Sequence, residues 1–278
     1  MMYYPENKRS TIAYFILIGL ILVLTVVVFS FLFLRELFDS PSGPEDTTGE
    51  GTGTSSSLSS EEYAVQIAEH RALKQQYETA LASVYLLLVN EDTPLPEDYS
   101  CDTVSLNQNP SQRLEVFAAA KLQQFLSEAA KAGYHPEVSA AYRSEEEQQA
   151  VFAQAVQSYM NAGYLLEQAT VLVTQEIGSV AGSEHRTGLA VDISDPSQPG
   201  FASYAETALV PFGFVLRYPE GKESVTGRQA SAVHFRYVGT EAALVMTEKN
   251  LTLEEYRDYL ATQIEYQQQC MEALERAR

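Results

Sequence analysis

Gly182-Ser183-Glu184-His185-Arg186-Thr187-Gly188-Leu189-Ala190-Val191-Asp192-Ile193 reads as a turn feeding a short strand. Side chains alternate across a strand, so Leu189, Val191 and Ile193 face one way and Ala190 and Asp192 the other. A carboxylate in so apolar a strand is costly unless it is paired or holds a metal. Val233-His234-Phe235-Arg236-Tyr237-Val238-Gly239 reads as a second short strand, with His234 and Arg236 on one face. Together His185, Asp192 and His234 would supply two imidazoles and one carboxylate to a zinc ion, leaving a fourth position open to water. An open position marks a catalytic zinc site; structural sites are closed by four protein ligands. Spacing alone equally admits a second reading, in which Arg236 balances Asp192 and both histidines are satisfied core residues.

Outward from these strands the pattern is largely helical. From Glu61 onward Ala64, Ile67, Ala68, Tyr77, Leu81, Val84, Leu87 and Leu88 keep a rough 3.6 period, with Ser60 and Glu61 at its start. Pro94 and Pro96 then forbid regular structure. A second helix is expected after Ser111, buried through Leu114, Phe117, Leu122, Phe125, Leu126 and Ala129 and ended by Gly133. Glu137 to Tyr142 reads as a strand, and Ser144 opens a third helix with acidic residues in its first turn. The end, Leu253 to Arg278, is helical and charged. Helices come first and strands mostly later, which predicts an α+β fold.

The N-terminus is different in kind. Thr11 to Leu34 carry no charge, and as a helix they would span about 36 Å against a hydrocarbon core of about 30 Å. The run ends in Phe31-Leu32-Phe33-Leu34-Arg35-Glu36, without the small residues of a signal-peptide cleavage site. An uncleaved anchor is expected, and Lys8 and Arg9 before it keep residues 1–10 in the cytoplasm. The rest of the chain would then lie outside the cell, at the membrane of a single-pass protein. Residues 35–60, rich in Ser, Thr, Gly and Pro, read as a flexible linker. The chain holds 18 Lys+Arg against 37 Asp+Glu, a formal charge of −19. That excess of acid argues against nucleic acid or anionic headgroups as partners. Cys101 and Cys270 would sit in an oxidising compartment, either as a disulfide or as two unrelated thiols. His70 reads as a solvated helix residue and His135 as a loop residue.

Beyond residue chemistry there is a family resemblance. Ser183-x-His185-x-x-Gly188-x-Ala190-x-Asp192 followed by His234-Phe235-Arg236-Tyr237-Val238-Gly239 resembles the VanY family of zinc D-alanyl-D-alanine carboxypeptidases. Leu88-Val89-Asn90 with Pro94-Leu95-Pro96-Glu97-Asp98-Tyr99 resembles the loop by which the family's chain enters the domain. Ala141-Tyr142-Arg143-Ser144 is similar to its substrate-binding strand end. Gly213-Phe214-Val215-Leu216-Arg217-Tyr218-Pro219 and Thr226-Gly227 are similar to the approach to the last ligand. The resemblance covers roughly Glu78 to Tyr259.

It implies a hedgehog-like fold in which a small antiparallel sheet, flanked by helices, carries the zinc site. Joined to the reading of the N-terminus above, it gives the expected domains: a cytoplasmic tail at 1–10, a transmembrane helix at 11–34, a linker at 35–60, a peptidase domain at 61–250 and a C-terminal helix at 251–278. His185, Asp192 and His234 would bind Zn2+. Arg143 would hold the terminal carboxylate of a peptidoglycan stem peptide, since a guanidinium fork suits a planar anion. Ser183 would hydrogen-bond the substrate or a group beside the ligands. Alone, Arg143 reads as a surface arginine opening an acidic helix.

One departure stands out. The family carries a Glu three residues before the second histidine as general base, and here that catalytic position is Ser231. Positioned acid–base catalysis contributes roughly 10²–10⁴-fold, which a serine does not supply near neutral pH. Either another carboxylate serves, Glu184, Glu220 or Glu223, or the protein is weak or inert. Two functions are therefore expected in competition. One is a membrane-anchored extracellular zinc carboxypeptidase. The other is a member of the same family that binds cell-wall peptide or a partner protein without cutting.

Overall fold

The computed structural model describes residues 58–278, which form one compact unit. The span expected at 11–34 lies outside the described residues, as do residues 1–10 and nearly all of the linker. Among the described residues no helix is long and apolar enough to cross a membrane.

The chain begins with α1 (Ser60–Leu81), capped by Ser59, whose hydroxyl accepts from Glu62 N–H while the Glu62 carboxylate takes the Ser59 N–H. A short two-stranded hairpin follows, β1 (Thr103–Ser105) and β2 (Arg113–Glu115). It leads into α2 (Val116–Lys131). Here the structure corrects the helix start expected at Ser111. The Ser111 hydroxyl is spent on Asn109, and Gln112 closes the hairpin turn. The Glu115 carboxylate caps α2 instead, accepting from Phe117 and Ala118 N–H. Phe117, expected in the core, is exposed because the buried face of α2 runs through Ala118, Leu122, Phe125 and Ala129, and Phe117 lies off it.

Next come β3 (Glu137–Ala140), α3 (Glu145–Asn161) with its Ser144–Glu147 capping box, α4 (Leu166–Ile177) and β4 (Ala190–Ser194). After them run α5 (Phe201–Ala208), β5 (Phe214–Tyr218), α6 (Glu223–Thr226), β6 (Ser231–Tyr237), α7 (Thr240–Glu248) and α8 (Leu253–Ala277). The main sheet has the order β3-β4-β6-β5, antiparallel throughout. The α+β reading is borne out, and so is a small antiparallel sheet flanked by helices.

One face of this sheet is dry. Leu189, Val191, Ile193 and Phe235 pack with Leu122, Phe125 and Leu126 of α2 in a single core. Burying a side chain of this size stabilises the fold by about 1.5–3 kcal/mol. That face fixes the register, because a slip of one residue would turn the apolar set outward. The register places Asp192 directly opposite His234 and Ala190 opposite Arg236, so the period-2 alternation delivers both polar residues to the other face.

The last helix joins the same unit and runs antiparallel to α1. His70 Nδ1 meets Gln267 Oε1 at 2.6 Å, and Arg278 Nε donates to Ser60 Oγ at 3.0 Å. His70 is therefore an interhelical contact, not the solvated residue its charged neighbours suggest. A second apolar cluster, with Leu86, Val215, Met246, Leu253, Tyr256 and Leu260, seats the start of α8 against β5 and α7.

Candidate metal centre

The turn that presents His185 is a 3-10 helix, Glu184–Thr187, closed by Gly188 at φ +73. A Cβ at Gly188 would lie 2.8 Å from Cys101 Sγ, so both backbone and space require glycine. Thr187 ties the turn, donating its hydroxyl to the Glu184 carbonyl at 2.6 Å and accepting from Leu189 N–H at 3.0 Å. His185 is buried, and its Nδ1 is held by the Ala141 carbonyl at 2.8 Å, where β3 ends. That bond turns Nε2 toward Asp192, 3.3 Å from Oδ2. From the neighbouring strand, His234 brings Nδ1 to 2.7 Å from Asp192 Oδ1.

The three candidate ligand atoms lie within 4.8 Å of one another. A tetrahedral zinc site with bonds of about 2.0–2.1 Å has edges of about 3.3 Å, so the residues fit the ion. His185 also shows the outer support that ligating imidazoles carry. The second nitrogen of His185 is held by a carbonyl, and that of His234 faces Glu184 Oε2 at 3.7 Å. Burial lowers His185, and Asp192 offsets this only in part. Burial opposes charge on His234 as well, but the Asp192 and Glu184 carboxylates outweigh it and raise this imidazole. Asp192 would be raised by burial, yet His185 and then His234 hold it well below the usual carboxylate range.

Arg143 is drawn to this centre. Its N–H donates to the His185 carbonyl at 3.0 Å, and Nη1 donates to Gln148 Oε1 at 3.0 Å. Gln148 is fully buried. Desolvation lowers the guanidinium, and the Asp192 charge works against that. It is not the surface arginine that its acidic neighbours suggest. Ser183 sits one residue before the turn, buried, with an Oγ that has no hydrogen-bond partner.

Ser231 opens β6, part-exposed, in register with Tyr218. Between Leu216 and Tyr218 the β5–β6 register shifts by two residues on the β6 side, so the backbone bulges between Ser231 and His234. Of the carboxylates proposed to replace the missing base, Glu184 is already engaged. Its Oε1 accepts from Arg217 Nε at 2.8 Å and lies 3.0 Å from Arg236 Nη1, the latter without hydrogen-bond alignment. Burial would raise this carboxyl, but Arg217, Arg236 and His234 outweigh it and hold it well below the usual range. A carboxylate held so firmly ionised is a poor proton acceptor. Glu220 and Glu223 are exposed after β5, with no ion pair to the centre.

Arg236 does not balance Asp192. It turns toward Glu184 and donates through Nη2 to the Leu87 carbonyl at 2.8 Å. Tyr218 stacks on His234 with ring centroids 5.0 Å apart. From sequence, Arg236 reads only as a balance for Asp192, and Arg217 and Tyr218 have no role of their own. The signal available was an arginine in each of two apolar strands, which demands a buried partner. A cavity of about 460 Å³ between α1 and α8 is lined by residues such as Arg71, Lys74 and Glu78 and not by the ligand trio. Cys101 and Cys270 are both thiols and form no disulfide.

A His-Asp-His cluster on a small antiparallel sheet, with its carboxylate part-exposed, is the donor set of a mononuclear metal site. The sequence profile of VanY, D-alanyl-D-alanine carboxypeptidase, matches residues 111–240. A D-alanyl-D-alanine carboxypeptidase of Enterococcus faecalis is 31% identical over 220 residues, covering 78% of either chain. The bifunctional D-Ala-D-Ala dipeptidase and carboxypeptidase VanXYC of Enterococcus gallinarum is 36% identical over 133 residues, 43% of this chain and 65% of the relative. Among solved structures, VanYB in complex with D-alanine-D-alanine superposes with a TM-score of 0.60 at 32% identity, covering 63% of this chain and 98% of the other. The chain belongs to the VanY family and is a metallocarboxypeptidase by class. A related VanY D,D-pentapeptidase was solved in complex with Zn(II) (TM-score 0.59, 32% identity, covering 63% of this chain and 99% of the other), which together with the donor set gives the metal as zinc.

Proposed function

We propose that this protein is a membrane-anchored zinc carboxypeptidase that removes the terminal D-alanine from peptidoglycan stem peptides outside the cell. The observation that carries this reading is the coupling of Arg143 to the ligand trio, its N–H bonded to the carbonyl of His185 itself. His185, Asp192 and His234 would hold the ion. When bound, zinc supplies Lewis acidity toward a carbonyl and makes water acidic enough to attack near neutral pH. Arg143 binds the free carboxylate of the peptide, and the partnerless Ser183 hydroxyl offers a hydrogen bond to the substrate. The uncharged run at 11–34, with Lys8 and Arg9 before it, supports a cytoplasmic N-terminus and an extracellular domain. The relatives include D,D-carboxypeptidases, and an LD-carboxypeptidase, LdcB, shares the fold with a TM-score of 0.52 at 29% identity, covering 63% of this chain and 86% of the other. The fold thus serves both bonds, and the D,D preference proposed here follows the more similar relatives.

The test is D-alanine release from a stem pentapeptide by the full chain in detergent with zinc. Release above a His185→Ala control is expected, and its absence would refute hydrolysis. Ser231 supports a second reading, a peptide-binding relative that does not cut. Ser231→Glu separates the two. A gain of about 10²–10⁴-fold from a near-zero baseline supports the binder, whereas brisk release by the unsubstituted chain refutes it.

A further inference from the structure

We propose that Glu254, in the first turn of the C-terminal helix, is a positioning residue for the metal centre, acting through Arg217 on Glu184 and His234. The inference rests on the metal-centre reading above but concerns a residue beyond the family match, which ends at residue 240. Glu254 takes the Arg217 fork in two hydrogen bonds, Nη1 to Oε2 at 2.9 Å and Nη2 to Oε1 at 2.6 Å. The third donor of the same guanidinium, Nε, holds Glu184 at 2.8 Å. Arg217, Arg236 and Glu184 have fully buried side chains, and Glu254 is nearly so.

Two routes run from Arg217 to the ligand ring. One is Glu184, whose Oε2 has no hydrogen-bond partner and faces His234 Nε2, itself without one, at 3.7 Å. The other is Tyr218, whose ring lies 4.8 Å from the Arg217 guanidinium and stacks on His234. Charge makes the same point. Two guanidiniums sit behind the site with Glu184 as their near counter-charge, and Glu254 brings the set to neutrality. Neutralising Glu254 leaves an uncompensated buried cation behind a dication site and releases the fork that orients Glu184. The start of α8 is therefore part of the metal centre rather than an appendage to it.

The experiment is zinc affinity of the full chain, by competition with a chromophoric chelator, for the unsubstituted protein and for Glu254→Gln, Glu254→Asp and Glu255→Gln. Outer-sphere changes of this kind cost roughly 10–100-fold in metal affinity, and a loss of about 10-fold is expected for Glu254→Gln. Glu254→Asp, which keeps the charge, should recover part of it, and stands in should the amide variant not fold. Glu255 lies in the same helical turn but pairs with Lys222 at 2.8 Å, so Glu255→Gln reports mere anchoring of the helix and should leave affinity unchanged. Any lost D-alanine release should return at saturating zinc, which a damaged fold would not show. Equal affinities for Glu254→Gln and the unsubstituted chain would overturn the proposal alone, as would an equal loss in Glu255→Gln. No zinc binding by the unsubstituted chain would overturn it together with the metal-centre reading.

Discussion

The front and the back of the metal centre are built on different principles. In front, His185, Asp192 and His234 converge from a turn and two adjacent strands, and their reactive atoms face a common point. Behind them, Glu184, Arg217, Arg236 and Glu254 form a closed layer of charge in which the guanidiniums are fixed by opposite charge or by the Leu87 carbonyl. The front set is incomplete without an ion. The rear set is complete only as a whole, since removing one partner of a buried pair leaves its counterpart stranded. A ligand site of this design is thus made by register, and its support by charge neutrality.

The largest effect should come from breaking the front. Asp192→Asn keeps the size and removes the only anionic ligand, which lies between the two imidazoles. Loss of zinc retention after dialysis is expected, with D-alanine release falling to background. Metal content and release measured on one sample check this. Retained zinc would show that the trio is not the site.

A step smaller is Arg143, which joins the front through backbone and the substrate through charge. Hydrogen bonds to charged groups are worth about 1.5–3 kcal/mol, so Arg143→Ala should cost roughly 10–150-fold in kcat/KM. Zinc affinity should stay within about 2-fold, because the residue touches no ligand atom and only its N–H, which alanine keeps, bonds His185. Arg143→Lys should recover charge but not the planar fork. An unchanged kcat/KM for amidated and free-acid peptides alike would remove Arg143 from the binding site.

The same contrast explains what could be read from the amino-acid order. Front residues are spaced by local rules: alternation put Asp192 and Ala190 on one face, and one glycine closed the turn that presents His185. Residue chemistry offered His234 as their companion, the resemblance chose that reading over an Arg236–Asp192 pair, and the structure places all three together. The rear layer obeys no local rule. Arg217 and Glu254 lie far apart in the chain, and nothing near either one names the other. The helix start expected at Ser111 failed for a related reason, whereas those at Ser60 and Ser144 stand. Ser111 has the chemistry of a cap, but the hairpin of Leu106 to Gln112 uses it first, leaving Glu115 to begin α2. His70 was misplaced because its partner Gln267 lies at the opposite end of the unit. Residues 1–57, which carry the expected anchor, fall outside the described region.

The mildest perturbation is pH, and it acts on the two halves with different signs. Glu184 is held below its ordinary 4.5, despite burial, by Arg217, Arg236 and His234. A depressed carboxyl contributes stability above that ordinary value and loses it as pH falls. The arginines never titrate, so the rear layer has only this acid flank. The front also titrates near neutrality. Asp192 is depressed and behaves like Glu184, His234 is raised above its ordinary 6.5, and His185 is lowered below it by burial. A raised imidazole contributes stability in full below 6.5 and loses it as pH climbs through the folded value. Chelator-treated protein should therefore lose melting temperature below about pH 4.5, whereas around pH 6.5 the loss from His234 is opposed by the gain from the lowered His185. Zinc binds the deprotonated ligands, so saturating it should raise the melting temperature more above about pH 6.5 than below it and leave the acid loss from Glu184 in place. The acid flank should also survive salt of about 0.5 M, which screens exposed pairs such as Lys222–Glu255 but not a buried one. A zinc-induced rise that does not grow with pH would detach the histidines from the metal. A profile whose acid side disappears in salt would show the rear layer to be open to water.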